Sequence, residues 1–213
     1  MLLKENDVVL FQGDSITDWG RDRNDPNSLG HGYASIVAAM LSFKYPELKL
    51  KFLNRGIGGN RAIDLKNRWQ EDCLDLKPTV VSLMIGINDT WRKFDENDAT
   101  TTEEYKATVR ELLTDVKEKL GARIVIMEPF VVPYPEDRKA WREDLDPRIH
   151  AVRELAAEFD AVMVPLDGLF NSAAINVNGP EYWTIDGVHP SEAGFGLISQ
   201  AWMDAVEKKI ESK

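Results

Sequence analysis

Cysteine is almost missing from this chain. Cys73 is the single one in 213 residues, so no disulfide can form within it, and the three histidines beside it leave too few ligands for a Cys/His zinc cluster. Trp69, Cys73 and Leu76 follow a helical spacing, which makes Cys73 a small buried or half-buried apolar residue, and a carboxylate-only metal site has no motif behind it. Positive charge is also short: 26 Lys and Arg face 36 Asp and Glu, for a net charge of −10. Nucleic acids and anionic membranes both need a positive footprint, so neither is an expected partner. No apolar run approaches the roughly 18 residues of a membrane span. The opening MLLKEND lacks the basic-then-apolar order of a signal peptide, so a cytoplasmic protein is expected. None of these absences argues against a neutral sugar or an ester as substrate.

What is present is ordinary for a globular chain: 43% apolar and 29% charged residues. The length suits one domain over residues 1–213, large enough to bury roughly 70% of its unfolded surface. Short apolar runs at 8–11, 50–53, 80–85, 124–127 and 161–164 read as strands. Between them, 32–45, 62–76, 102–120 and 141–159 carry apolar residues at helical spacing, as does 190–211 at the end. Pro147 marks a break near the start of the 141–159 helix, and Pro190 sits in the first turn of the last one. Segments 86–96 and 129–135 read as loops, and 167–184 as loop with a short helix. Strands apolar on both faces belong to parallel sheets covered on both sides. The expected fold class is α/β, a parallel sheet of about five strands with helices on both faces; the strand order stays open.

In such sheets ligands bind beyond the carboxyl ends of the strands, and four of the five segments there are rich in polar groups. The first strand runs into Gly13-Asp14-Ser15, where the serine is either a plain helix cap or a nucleophile. A serine nucleophile needs a base, usually histidine, oriented by a carboxylate. His150 lies inside an amphipathic helix, and His31, between two glycines, has no carboxylate near it in sequence. His189 precedes a proline, which biases it away from helical backbone, and Asp186 stands three residues before it. That pair either caps the last helix or supplies base and orienter. Oxyanion donors are available in the Gly56–Gly59 loop, in the Asn88 amide and at the N–H of Ser15. The glycine loop also suits an ordinary turn, and Asn88-Asp89 a hydrogen-bonded one. For all of these to be structural at once is harder to sustain, because they share one edge of one sheet.

Together these residues resemble the SGNH hydrolases, or GDSL-type esterases. Gly13-Asp14-Ser15-Ile16 is similar to their first block, with Ile16 in place of leucine; residues 54–60 to the second, with Gly58 where many relatives carry serine; Gly86-Ile87-Asn88-Asp89 to the third; and Asp186-x-x-His189 to the fifth. The resemblance spans residues 8–196 in family order. It implies a flavodoxin-like three-layer α/β/α sandwich with no metal or organic cofactor. It implies a Ser15–His189–Asp186 triad with Ser15, Gly59 and Asn88 as oxyanion donors and Asp14 bracing the turn beside the substrate. The run 84–92 followed by Lys93-Phe94-Asp95 is most similar to the acetyl-xylan and acetyl-xylooligosaccharide esterases of the family. That implies a short acyl group on a small molecule or oligosaccharide, with Trp91, Arg92, Phe130 and Trp183 on the substrate side. A lysophospholipase or thioesterase of the same fold, or a non-catalytic sugar-binding module, are the alternatives. Whether the chain forms a homo-oligomer is left open.

Overall fold

A computed structural model describes residues 2–208 of the chain. In order it forms β1 (Val8–Gly13), α1 (Ser15–Asp18), α2 (Tyr33–Lys44), β2 (Lys51–Asn54), α3 (Ala62–Trp69), β3 (Val80–Met84), α4 (Ile87–Asp95), α5 (Thr102–Asp115), β4 (Arg123–Met127), α6 (Arg142–Glu158), β5 (Val162–Val164), α7 (Leu166–Asn176), α8 (Pro180–Trp183) and α9 (Glu192–Lys208). The five strands make one sheet in the order β2-β1-β3-β4-β5, every pair parallel. This is the flavodoxin-like order. The chain leaves β1 to one side for β2 and returns to the other side for β3, so a crevice opens beyond the carboxyl ends of β1 and β3.

Alternate residues of the strands feed two cores. Val9, Phe11, Val80, Met84, Val125 and Met127 pack with Val37, Leu41, Ile198 and Trp202 of α2 and α9. Leu10, Val81, Leu83, Ile124 and Ile126 pack on the other face with Leu65, Val109, Leu112 and Val152 of α3, α5 and α6. The one polar residue of β3, Ser82, is fully buried and bonded on that account: it accepts from the Trp202 indole N–H at 2.9 Å and donates to Met127 Sδ at 3.6 Å. Cys73 is buried in the second core, and burial pushes its thiol up to about 12, which removes its nucleophilicity. Among the described residues no helix is long and apolar enough to cross a membrane.

The structure differs from the sequence reading in four places. Segment 86–96 is mostly α4, not a loop: Ile87, Thr90, Trp91 and Phe94 fall at i, i+3, i+4 and i+7 and turn toward the core. Pro147 does not break α6, which continues through it; Pro147 and Glu143 are both exposed, so the carbonyl that the ring leaves without an N–H can turn to water. Segment 167–184 is largely helical, in α7 and α8. The last helix starts at Glu192, with Pro190 outside it: Ser191 is the cap, its Oγ accepting from Gly194 N–H at 3.2 Å. Its expected end at Glu211 lies outside the described residues.

Candidate active site

β1 delivers the chain to Asp14, whose carboxylate accepts from Ile16 N–H at 3.0 Å and so caps the single turn of α1. Ser15 opens that turn, and its Oγ lies 2.9 Å from His189 Nε2. His189 Nδ1 meets Asp186 Oδ2 at 2.7 Å, while Asp186 Oδ1 accepts from the backbone N–H groups of Val188 (3.0 Å) and His189 (2.8 Å). With a carboxylate on Nδ1, the proton of the neutral imidazole resides there, and Nε2 is left to accept from the Ser15 hydroxyl. The 186–189 loop is itself clamped. Gly187 takes φ +87, and a Cβ there would stand 2.1 Å from the Tyr134 carbonyl oxygen, so only glycine lets the loop close on the segment after β4. Its carbonyl accepts from Val132 N–H at 2.8 Å.

The electrostatics follow from this geometry. Burial works to raise the Asp186 carboxyl, but the hydrogen bonds from the His189 ring and backbone outweigh it and hold Asp186 at about 2. The bond to Asp186 raises His189 above the ordinary histidine value, against the opposing effect of burial. Asp14 is 1% exposed, and burial pushes its carboxyl up to about 7 despite the Ile16 N–H. Asp89, buried at the start of α4, rises for the same reason to about 6 while accepting from Ala62 N–H at 3.2 Å.

The loop after β2 lies against Ser15. Buried Asn54 shapes it, donating to the carbonyls of Thr17 (2.6 Å) and Leu29 (2.9 Å) and accepting from Gly56 N–H at 2.8 Å. Arg68 of α3 fastens both of its ends, donating to the Arg55 carbonyl and to Asn60 Oδ1 at 2.8 Å each. Asn88, in the first turn of α4, uses one amide N–H on the Asn60 carbonyl at 3.0 Å and has a second to offer. Two indoles flank His189, Trp19 at 5.9 Å and Trp91 at 5.7 Å between ring centroids. An open hollow of about 350 Å³ beside Ser15 is lined by Asp18, Trp19, Arg21, Arg23 and Gly58. A larger groove of about 560 Å³ lies between α3 and α5, but none of these site residues lines it. No group of His, Cys, Asp and Glu among the described residues is arranged to hold a metal ion.

A serine, an imidazole and a carboxylate in line beside a glycine loop suit acyl transfer, and the kinship of the chain agrees. Residues 11–197 match the GDSL-like Lipase/Acylhydrolase family. The chain belongs to this family. It is 36% identical to an acetylxylan esterase of Geobacillus stearothermophilus over 211 residues, 95% of each chain. A solved structure of an acetyl xylan esterase from that organism superposes with a TM-score of 0.90 at 35% identity, covering all of both chains. A serine-to-alanine catalytic mutant of an acetylxylan esterase from that organism does so with a TM-score of 0.88 at 33% identity, again over the whole of both chains. As a family member the protein is a carboxylic ester hydrolase.

The structure brings Ser15, His189 and Asp186 together with Trp91 beside the imidazole; Gly59 lies on the loop whose Gly58 faces Ser15, and Asn88 is bonded to Asn60 at the end of that loop. Of the residues expected on the substrate side, Phe130 and Asp14 are buried, while Trp183 and Arg92 stay partly exposed. Phe130 is 1% exposed and stacks on Phe170 at 4.0 Å, because the chain after β4 turns inward. Asp14 is buried under its own turn. Trp183 donates its indole N–H to the Val177 carbonyl at 2.9 Å and packs against the core. Arg92 turns to the Gly59 carbonyl, 3.2 Å away, and to Glu96 at 2.8 Å. His31 and His150 are exposed; His31 N–H donates to the carbonyl of Trp19, at the rim of the hollow, at 2.8 Å. Sequence reasoning missed Asp18 and Trp19, although they stand at i+3 and i+4 from Ser15, the spacing that shares a helix face. It also missed Arg138, which lies over Trp91 and Trp141 at 5.0 and 4.1 Å and reaches the Asp186 carbonyl at 3.4 Å. No local pattern marks it.

Proposed function

We propose that this protein is a serine esterase that removes acetyl groups from carbohydrates, with acetylated xylo-oligosaccharides as the substrate class. The observation that carries the reading is the hydrogen-bonded line from Ser15 Oγ through His189 to Asp186. In the reaction Ser15 Oγ attacks the ester carbonyl carbon as His189 Nε2 takes its proton. Asp186 holds the imidazole in its tautomer and stabilises the imidazolium. The carbonyl oxygen becomes an oxyanion facing the N–H groups of Ser15 and Gly59 and the amide of Asn88. The tetrahedral intermediate collapses, His189 gives its proton to the departing sugar hydroxyl, and an acyl-serine remains. Water, deprotonated by His189, then releases acetate and restores Ser15.

Support for the nucleophile comes from the serine-to-alanine change that makes a catalytic mutant of the Geobacillus enzyme. Support for a short acyl group comes from Trp19 and Trp91, whose rings close in on either side of His189. Support for a sugar comes from the name of the 36% identical relative. The test is the rate across p-nitrophenyl esters of increasing acyl length, with acetate release from acetylated xylo-oligosaccharides. Acetate should be the preferred acyl group, and Ser15→Ala should lower kcat by several orders of magnitude. A rate that peaks at octanoate or longer overturns the acetyl reading; full activity in Ser15→Ala overturns the mechanism.

A further inference from the structure

An oxyanion donor is useful in proportion to how well it is fixed before charge develops. Of the donors named above, Gly59 N–H alone belongs to a loop. Gly59 takes φ +80, and among the described residues, its chain neighbours aside, only Arg92 Nη2, at 3.8 Å, lies within 4 Å of where its Cβ would be. Apolar packing therefore does not hold it. Asn60 N–H closes the turn on the Ile57 carbonyl at 3.2 Å, and Arg68 and Asn88 clasp the ends of the loop; beyond these, one polar grip reaches each of the two glycines. Upstream, Gly58 N–H donates to Asp18 Oδ2 at 3.0 Å. Downstream, the Gly59 carbonyl accepts from Arg92 Nη2 at 3.2 Å.

The origin of the two grips matters. Asp18 sits on the same turn as Ser15, three residues on; it is 9% exposed and its Oδ2 is paired with Arg23 Nη2 at 2.6 Å. Arg92 sits on α4, four residues after Asn88, and is steadied by Glu96 at 2.8 Å. The segment that bears Ser15 thus holds the loop from one side, and the helix that bears Asn88 holds it from the other.

We propose that Asp18 and Arg92 are positioning residues that fix the Gly58–Gly59 peptide between the nucleophile's turn and the helix of Asn88, so that Gly59 N–H faces the developing oxyanion. The inference rests on the esterase reading above and adds residues whose side chains grip the loop and not the triad. Misplacing a donor by about an ångström costs up to roughly a hundredfold in rate.

The experiment compares Asp18→Ala, Asp18→Asn, Arg92→Ala, the Asp18→Ala/Arg92→Ala double variant and Glu96→Gln on p-nitrophenyl acetate. Each alanine variant should lower kcat about ten- to a hundredfold, with KM within about threefold of wild type and the acid limb of the pH profile unmoved, because His189 and Asp186 keep their bond. Asp18→Asn retains an acceptor for Gly58 N–H and should keep kcat within about threefold. Glu96→Gln keeps an acceptor for Arg92 and should lower kcat by less than Arg92→Ala does. The double variant should lose less than the product of the single losses, since a peptide freed by one change has little left to lose to the other. The proposal is overturned by unchanged kcat in the alanine variants, by losses confined to KM, or by Asp18→Asn as damaging as Asp18→Ala. Arg92 is half-exposed, so Arg92→Ala reads out by itself should Asp18→Ala fail to fold. Silent grips with an inactive Ser15→Ala sink this inference alone; an active Ser15→Ala sinks the esterase mechanism instead.

Discussion

His189 and Asp186 each set the other's proton affinity, and that mutual effect can be measured. The bond to Asp186 is the largest influence raising His189. In the proposed mechanism the base must be neutral to take the Ser15 proton, so kcat/KM should fall as pH drops through the His189 value, raised from its ordinary one. In Asp186→Asn the carboxylate is gone and the acid limb should move to lower pH, while kcat falls by several orders of magnitude. A pH-rate profile of both proteins checks this; a limb that stays put, or moves up, shows that Asp186 does not act on His189. At this scale the sequence is readable where chemistry and spacing coincide. Asp186 and His189 are three residues apart, so one turn suffices to join them. Phe130, Trp183 and Arg92 were not readable in the same way: an aromatic or an arginine beside a motif has a side chain long enough to reach substrate, core or backbone, and only packing decides which.

Among the elements, α4 shows how a polar composition can hide a helix. Asn88-Asp89-Thr90 looks like a turn, yet the apolar spacing from Ile87 to Phe94 is helical and the core accepts it. A buried arginine holds α4 to its neighbours. Arg148 of α6 is fully buried, donates to Asp144 at 2.9 Å, to Thr90 of α4 at 3.2 Å and to the Thr101 carbonyl ahead of α5 at 3.3 Å. Asp144 in turn accepts from Thr90 Oγ1 at 2.9 Å and from Lys93 at 3.1 Å. Replacing Arg148 by methionine keeps much of its bulk but takes one donor from Asp144, which keeps Thr90 and Lys93, and one from the Thr101 carbonyl, which keeps Tyr105 N–H, a loss of about 1–3 kcal/mol. Urea unfolding of Arg148→Met should show this as a lower midpoint with unchanged slope; a midpoint equal to wild type would mean the network contributes little. Because α4 carries Asn88 and Arg92, the same variant should lose activity at temperatures below its melting transition.

The whole molecule shows what periodicity can and cannot reveal. Apolar runs mark strands and their two buried faces, so the parallel α/β architecture is visible in the sequence, but which strand lies beside which is not encoded in any run. The order β2-β1-β3-β4-β5 places the turn after β1 next to the helix after β3 and so brings Ser15 and Asn88 to one crevice. That crevice sits over buried carboxyls, with a consequence for pH. Asp14 and Asp89 are raised to about 7 and about 6, so the folded chain keeps protons that the unfolded chain has released. Their contribution is full below the ordinary aspartate value and is lost as pH rises through the folded values. His189, also raised, contributes in the same direction: present below its ordinary value and lost as pH rises through its folded one. Asp186, lowered to about 2, has the opposite sign, stabilising above the ordinary aspartate value and losing that as pH falls. Together the four favour the folded state most near the ordinary aspartate value, whereas the proposed mechanism needs His189 neutral at higher pH. By that proposal the fold is most stable on the acid side of the pH at which it works. Asp14→Asn isolates the largest part of this effect, because the amide still accepts from Ile16 N–H but never ionises. Its melting temperature should lie nearest to wild type at about pH 4 and below, and exceed it by a gap that widens up to about pH 7 and then levels off. A gap that is constant or closes with rising pH would show that Asp14 is already ionised in the folded chain at the lower pH, and that burial does not govern it.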